Sequence, residues 1–235
     1  VGVQPFGGEG LSGTGPNAGG PLYLLRLLAR CPQDAALRSV QACGASALPQ
    51  ATPALQALHD WALAQGQLAL AHHCARMAAC HPAGLQALLS GPTGERNLYQ
   101  VKPRERVLCC VGAQPNAEDD VLLQIAAVLA VGSTAVLPPS AAALQARLPA
   151  PVQAALRVGA QDSAAGVDAA LLHGNAQEAL ALAARLATQQ GPIVSLTVLA
   201  PGSVDVPLAR LVTERSTSTN TAAAGGNASL MTLGA

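Results

Sequence analysis

The stretch RVLCCVGAQPNAEDDVLLQIAAVLAVGSTAVL, residues 106–137, decides the fold. It opens with an apolar run at Arg106–Val111, which predicts a buried strand. Acids at 118–120 complement the dipole of a helix N-terminus, and they predict a helix from about 119 to 131. Thr134–Leu137 predicts a second strand. A strand, a helix and a strand in this order indicate a βαβ unit on a parallel sheet.

The same alternation continues downstream. Ala141–Leu148 predicts a short helix, Val167–Leu172 a third strand and Ile193–Leu199 a fourth strand. Asn175 belongs to the residue types that cap helices, so a helix is predicted directly after it. Residues 91–205 are therefore predicted to form an α/β domain.

The upstream part begins with a glycine-rich loop over residues 1–20, which contains the lone phenylalanine, Phe6. Glycine backbone lets a ligand or another chain segment approach closely, so the loop is expected to lie against a site. Residues 21–28 predict a short apolar helix, and 34–90 predict further helices around Trp61. The tail differs, because residues 216–221 are β-prone and polar. We expect this strand to pair with another domain or subunit.

The composition excludes several classes of protein. Lys+Arg and Asp+Glu are both 13, so neither a nucleic-acid partner nor an anionic membrane surface is predicted. Half of the residues are apolar and 11% are charged, which excludes a disordered chain. The run Val121–Leu137 is interrupted by Gln124 and Gly132, so no membrane span is predicted. Six cysteines in 235 residues do not suggest a disulfide framework, and with no signal peptide a reduced, cytoplasmic protein is expected.

The residues alone define no catalytic site. His73 and Cys80 would share a helix face beside His81, but the spacing of zinc ligands is missing and no metal is predicted. His173 ends a predicted parallel strand, where ligands bind in open α/β sheets, but no partner for it is visible. Neither a phosphate-binding glycine motif nor a nucleophile elbow occurs.

Both ends of the chain resemble one family. Gly2–Pro21 is similar to the end of an aldehyde dehydrogenase catalytic domain, and 214–231 resembles the closing motif of the long proline utilization A (PutA) proteins. Residues 91–97 and 103–109 fit between them, so the resemblance spans the whole chain. It implies a parent that oxidises proline with FAD and then glutamate γ-semialdehyde with NAD.

The resemblance also implies where the chemistry of that parent lies. The thiol nucleophile, the general-base glutamate and the NAD-binding fold of the family all precede what corresponds to Val1, so no catalytic residue and no cofactor are expected in this segment. Phe6 is the one expected substrate-binding residue, packing on the aliphatic stem of the semialdehyde. The alternative is ordinary packing of Phe6 within its loop.

A comparison with the NAD-binding domain of the same family indicates a degenerate copy. Where the family has Lys-Pro-Ala/Ser after the second strand, this chain has Leu137-Pro138-Pro139-Ser140 without a lysine. The Phe-Thr-Gly-Ser segment is replaced by residues 172–175, and the glutamate expected near 197–202 is absent. The resemblance therefore implies an aldehyde-dehydrogenase-like, Rossmann-type parallel sheet domain that is structural and covers the internal channel of the parent.

Four regions follow from these readings: the end of the catalytic domain (1–30), a helical connection (31–90), the degenerate α/β domain (91–205) and a docking or oligomerisation tail (206–235). The expected partners are the upstream aldehyde dehydrogenase domain and further copies of the chain, and peripheral association of the parent with a membrane stays open. The alternatives are a free-standing nucleotide-binding α/β protein and an interaction module that pairs through its tail.

Overall fold

The structure is a computed structural model, and it describes residues 4–8, 10–13, 17–28, 30–159 and 166–221. The helices and strands, in chain order, are α1 (Tyr23–Leu27), α2 (Ala35–Ala42), α3 (Pro53–Ala64), α4 (Leu68–Cys80), β1 (Gln86–Leu89), β2 (Glu95–Pro103), β3 (Arg106–Val111), α5 (Ala117–Ala130), β4 (Thr134–Leu137), α6 (Ala142–Arg147), α7 (Ala150–Ala154), β5 (Leu156–Val158), β6 (Ala169–His173), α8 (Ala176–Ala187), β7 (Ser195–Leu199) and β8 (Val212–Asn220). Short 3-10 turns lie at Pro139–Ala141 and Leu208–Leu211.

The larger sheet is parallel and has the strand order β5-β4-β3-β6-β7. Val107 of β3 sits opposite Ala135 of β4 and Ala169 of β6, which fixes the register of the three central strands. This sheet confirms the predicted α/β fold, and β3 and β4 have the predicted bounds. The sequence did not predict β5, a strand of three residues at one edge.

Helix α5 lies at the centre of the core. Every residue from Asp120 to Ala130 is buried, as expected for a helix that is apolar on nearly all sides. It packs on β3 and β4, and α3 and α4 also pack against it. Thr52 joins these layers, because its hydroxyl accepts a hydrogen bond from the Leu55 N–H (3.1 Å) as the cap of α3 and donates to the Leu129 carbonyl (2.8 Å).

A second, antiparallel sheet has the order β1-β2-β8. It corrects the prediction of helices throughout 34–90, because Gln86–Leu89 is a strand. The tail strand β8 pairs with β2 of the same chain, from Glu95 opposite Asn220 to Pro103 opposite Val212. Its other edge carries no strand in the part of the chain that is described, and pairing there with another domain or subunit stays a prediction.

A buried carboxylate ties the N-terminal region to this second sheet. Glu214 of β8 accepts hydrogen bonds from the Leu22 N–H (3.0 Å) and from the Tyr99 hydroxyl (2.9 Å) on the same oxygen. Its other oxygen lies 3.7 Å from the Arg26 guanidinium, and both side chains are almost fully buried. A Cβ at Gly20 would come within 2.5 Å of the carboxylate, so the backbone approaches closely only because this residue is glycine.

Candidate functional site at the carboxyl edge of the parallel sheet

Three neighbouring strands end together at the edge where open α/β sheets bind ligands. Val111 of β3 lies opposite His173 of β6, which lies opposite Leu199 of β7. His173 is the last residue of its strand, as the sequence predicted. The side chains and loops that follow these strand ends define the candidate site.

His173 is fully buried and has a partner at each ring nitrogen. Nε2 lies 2.9 Å from the Ser203 carbonyl, and Nδ1 lies 2.7 Å from the side-chain nitrogen of Gln124. The same Gln124 nitrogen donates to the Cys110 carbonyl at 2.8 Å. Because the carbonyl can only accept and the amide nitrogen donates, we assign the proton to Nε2 and a neutral imidazole to His173.

Asp120, in the first turn of α5, adds a carboxylate to this network. One oxygen lies 3.9 Å from His173 Nε2. The other accepts a hydrogen bond from the Gly202 N–H at 3.1 Å and one from the side-chain amide of Gln114. A neighbouring anchor comes from α4, where the Arg76 guanidinium donates to the Val204 carbonyl at 3.2 Å. Side chains from three elements therefore hold the loop after β7 against the strand ends.

Glu178, in the first turn of α8, occupies the notch between the ends of β3 and β6. Its Oε1 accepts from the Ala113 N–H at 3.1 Å, and its Oε2 accepts from the Asn175 N–H at 2.8 Å. The Asn175 side chain accepts from the Glu178 N–H at 3.0 Å, which completes a capping box and confirms Asn175 as the cap of α8. A Cβ at Gly112 would overlap the carboxylate.

Three carboxylates begin the helix that faces this edge. Glu118, Asp119 and Asp120 stand in the first turn of α5, and Glu118 is paired with Arg147 at 2.6 Å. The N-terminus of a helix in this position would otherwise attract a phosphate through its N–H groups and dipole. The single lysine of the sequence is Lys102, which lies in β2 of the other sheet. The edge therefore lacks a lysine and presents carboxylates where a cofactor phosphate would need donors.

Two cavities lie beside the loop that follows β7. One, of about 540 Å³, lies between the first turns of α4 and α5 and is lined by His73, Asp119 and apolar side chains such as Leu68. The other, of about 430 Å³, follows β7 along the sheet edge and reaches Arg30. Both flank the anchored loop.

Phe6 lies outside this edge network. Its backbone forms an isolated antiparallel bridge with Ala18, with N–H to carbonyl distances of 2.8 and 2.7 Å. Its ring is 83% exposed, so it is not packed as a core residue within the described part of the chain. Whether it contacts a substrate stays a prediction.

The histidines and cysteines of α4 and its C-cap, His81, contact neighbouring protein groups. His73 Nδ1 lies 3.4 Å from the Arg76 guanidinium, and His81 Nε2 lies 3.1 Å from the Gln50 carbonyl. Burial lowers the pKa of both imidazoles and raises the pKa of the Cys80 thiol. Within the described ranges, no three His, Cys, Asp or Glu side chains come together as a metal site would require.

Sequence reasoning identified His173 but missed Asp120, Gln124 and Glu178. A signal for the first two was present, since polar residues four apart in an otherwise apolar helix lie on one face. The contact of Glu178 with Ala113 joins residues 65 positions apart, and no local sequence pattern predicts it.

These features define a class of protein, an α/β domain with a Rossmann-type parallel sheet. The carboxyl edge of this sheet is occupied by the chain's own side chains. No protein-family model matches the chain. The bifunctional protein PutA of Escherichia coli K12 is 46% identical over 247 residues, which cover 100% of this chain and 18% of that protein. The PutA proteins of Salmonella typhimurium LT2 and Rhizobium meliloti are 46% and 39% identical, each over 100% of this chain.

The chain is therefore homologous over its whole length to a segment of the bifunctional PutA proteins, and it spans 18 to 19% of the relatives described here. A solved structure of proline utilization A with proline bound in remote sites superposes on 74% of this chain and 22% of its own, with TM-score 0.49 and 18% identity. The NADP complex of an NADP-dependent glyceraldehyde-3-phosphate dehydrogenase from Bacillus halodurans matches 63% of this chain and 39% of its own chain, with TM-score 0.46 and 14% identity.

Proposed function

We propose that the chain is the C-terminal segment of a bifunctional enzyme that converts proline to glutamate. In the whole enzyme, an FAD-dependent step oxidises proline and an NAD-dependent aldehyde dehydrogenase step oxidises glutamate γ-semialdehyde. The segment is a non-catalytic structural domain, without cofactor or metal, that covers the substrate channel between the two active sites. Its whole-length similarity to PutA proteins about five times as long supports a place in a larger enzyme.

The observation that carries the non-catalytic role is the occupied edge of the sheet. Glu178 fills the notch between β3 and β6, and His173 and Asp120 hold the loop after β7 across the neighbouring strand ends. A dinucleotide bound in the usual place would have to displace a hydrogen-bonded carboxylate and approach the acids that begin α5. Fold alone would not decide the point, because function depends on the site.

An apolar surface on α1 supports docking onto an upstream domain. Leu24, Leu27 and Leu28 are 71%, 62% and 48% exposed, although they are adjacent in one short segment. Clustered exposed leucines of this kind mark a contact surface. We assign that contact to the aldehyde dehydrogenase domain of the same polypeptide. Phe6, exposed in the neighbouring loop, is free to reach the aliphatic stem of the semialdehyde in that domain.

The described residues include no helix long and apolar enough to cross a membrane. We propose a cytoplasmic parent enzyme that assembles as a homo-oligomer, with the open edge of β8 as one candidate contact.

Calorimetric titration of NAD into the chain tests the loss of the cofactor site, with the E. coli PutA protein as the comparison. We expect no measurable binding to the chain, and a dissociation constant below about 100 μM would refute the proposal. A nucleotide that raises the unfolding temperature would instead favour a free-standing nucleotide-binding protein. Assembly that depends on residues 206–235 in the isolated chain would favour an interaction module.

Removal of the corresponding segment from the E. coli protein tests the channel. We expect both oxidations to continue separately while semialdehyde escapes into solution, where it can be trapped. Unchanged coupling between the two steps would contradict a channel-covering role.

A further inference from the structure

The larger of the two cavities beside the loop after β7 has no part in the proposed function. It measures about 540 Å³ and lies between the first turns of α4 and α5, and Gly202 and Val204 of the loop form a third side. Small-molecule sites in proteins typically measure about 300–1,000 Å³, so this cavity is large enough to hold a ligand. It also lies outside the carboxyl ends of the parallel strands, where open α/β sheets bind ligands.

The wall of this cavity is mostly apolar. Leu70 of α4 and both Leu122 and Leu123 of α5 line it, and all three side chains are buried in the core. Leu68, at the start of α4, extends the apolar lining toward the surface. Because the core holds the three buried leucines in place, the wall is formed before any ligand arrives. It suits a hydrocarbon group, which needs no hydrogen bond.

One buried carboxylate oxygen in the lining remains open to a ligand. Asp120 lines the cavity, and its side chain is 5% exposed. Its Oδ2 accepts hydrogen bonds from the Gly202 N–H at 3.1 Å and from the Gln114 amide. Its Oδ1 lies 3.9 Å from His173 Nε2, too far for a hydrogen bond, and no described residue donates to it. A buried carboxylate oxygen without a donor is costly, so Oδ1 favours a ligand that supplies one.

The charge of the lining favours a cationic ligand. Asp119, also in the first turn of α5, adds a second carboxylate, and the described lining contains neither lysine nor arginine. Burial and then the Arg76 guanidinium lower the pKa of His73, so this imidazole adds no positive charge at neutral pH. Arg76 contacts His73 and the Val204 carbonyl but does not line the cavity. An anion, or the carboxylate of a free amino acid, would therefore find no cation in the lining.

We propose that this cavity binds a small organic ammonium ion with an apolar body. The ammonium group donates to Asp120 Oδ1, and the hydrocarbon part packs on the leucines of α4 and α5. Hydrogen bonds between charged partners are about twice as strong as neutral ones, so the ammonium group determines the specificity. The ligand joins both helices to the loop after β7, and it should slow amide hydrogen exchange at Gly202. This site does not depend on the reactions of the proposed function.

Isothermal titration calorimetry of the full chain with cyclohexylammonium chloride tests the site. Cyclohexanol is the matched neutral probe, because it has the same ring and a hydroxyl in place of the ammonium group. We expect cyclohexylammonium to bind about tenfold more tightly than cyclohexanol, as a hydrogen bond to a charged group predicts. Ammonium chloride, which lacks the ring, should bind more weakly than cyclohexylammonium by about tenfold or more. Cyclohexanecarboxylate should not bind.

Three substitutions locate the determinant of this preference. Asp120→Asn keeps one oxygen for the Gly202 N–H and replaces the open oxygen with an amide nitrogen, so the preference for cyclohexylammonium over cyclohexanol should disappear. Asp119→Asn should lower the preference about twofold to threefold, because that carboxylate is exposed and screened by solvent. Glu118→Gln is the matched control. It removes a charge from the same helical turn, but Glu118 pairs with Arg147 and does not line the cavity, so the preference should not change.

Nuclear Overhauser effects locate the probe in the unsubstituted chain, even if Asp120→Asn is too unstable to titrate. Contacts between the cyclohexyl protons and the methyl groups of Leu122 and Leu123 are the expected result. Equal affinity for cyclohexylammonium and cyclohexanol, or a preference that persists in Asp120→Asn, would overturn the inference. Ammonium chloride binding as tightly as cyclohexylammonium, binding without these contacts, or no binding at millimolar concentration would also overturn it. None of these results bears on the proposed loss of the NAD site, which the separate titration of NAD tests.

Discussion

Replacing Glu214 should reveal how far the fold depends on one buried carboxylate. The Glu214 carboxylate accepts hydrogen bonds from the Leu22 N–H at 3.0 Å and from the Tyr99 hydroxyl at 2.9 Å, and it lies 3.7 Å from the Arg26 guanidinium. The side chains of Glu214 and Arg26 are 0% and 6% exposed, so water cannot take over these contacts. Arg26 also donates a hydrogen bond to the Val212 carbonyl at 3.0 Å, and substitutions of Glu214 do not remove either of these two groups.

The expected cost follows from what each substitution removes. Glu214→Ala deprives the buried guanidinium of its carboxylate, and such a loss typically costs about 3–5 kcal/mol. Glu214→Gln keeps an acceptor for Leu22 and Tyr99 and loses only the charge, so we expect a smaller cost of about 2 kcal/mol. In a protein of ordinary stability, about 5–15 kcal/mol, the alanine variant would lose a large part of the total.

Urea denaturation followed by circular dichroism measures both values, and Arg26→Met completes a double-mutant cycle. We expect a favourable coupling energy of about 1–3 kcal/mol between Arg26 and Glu214. A Glu214→Ala variant within about 1 kcal/mol of the parent chain would refute the reasoning, as would a coupling energy near zero. Glu105→Ala, at an exposed position between β2 and β3, is the control and should change stability by less than about 0.5 kcal/mol.

Three further predictions concern other parts of the chain. His173→Ala should lower the free energy of unfolding by about 3–4 kcal/mol, because the Ser203 carbonyl and Gln124 lose their buried partner. It should also speed amide hydrogen exchange at Gly202. The control, His72→Ala on the exposed side of α4, should change neither the stability nor the exchange rate. Burial raises the pKa of the Cys74 thiol to about 12. The stability that the buried neutral thiol contributes is therefore complete below pH 9 and is lost as the pH rises from 9 to 12. Over that range the free energy of unfolding should fall by up to about 1.4 kcal/mol per pH unit. Thermal unfolding from pH 7 to 12 should show this slope, and Cys74→Val should flatten it; equal slopes would contradict the assignment. Phe6→Ala should leave stability within about 0.5 kcal/mol because the ring is exposed, while the longer enzyme should show a raised KM for semialdehyde; an unchanged KM would exclude the substrate contact.

The elements that the sequence predicted are those with strong local patterns. Strand β3 and helix α5 combine continuous apolar runs with first-turn acids, and their bounds agree with the structure to within two residues. Strand β2 was missed, although Asn97, Tyr99 and Val101 alternate in burial, because charged and polar residues surround them. Tertiary pairing with β8 compensates for this weak local preference.

The candidate site was less accessible to sequence reasoning. The position of His173 follows from the end of its strand, but Gln124 is 49 residues away from it and Ser203 is 30 residues away. Asn175 was identified as a cap, whereas the approach of Glu178 to Ala113 depends on how two loops meet after the sheet has formed. Contacts between residues that are distant in the sequence are set by tertiary packing, and the periodicity of apolar residues does not predict them.

The pairing of β2 with β8 also affects the order in which the chain can fold during synthesis. The ladder joins residues 103 and 212 at one end and 95 and 220 at the other, so more than a hundred residues must leave the ribosome before β2, already beside β1, gains β8 as its second neighbour. At about 5–20 residues per second, this delay lasts roughly 5–25 seconds. During that time the intervening parallel sheet can form, while Tyr99 has no β8 to cover it. A nascent chain stalled before residue 212 would therefore be the form most exposed to chaperones and proteases.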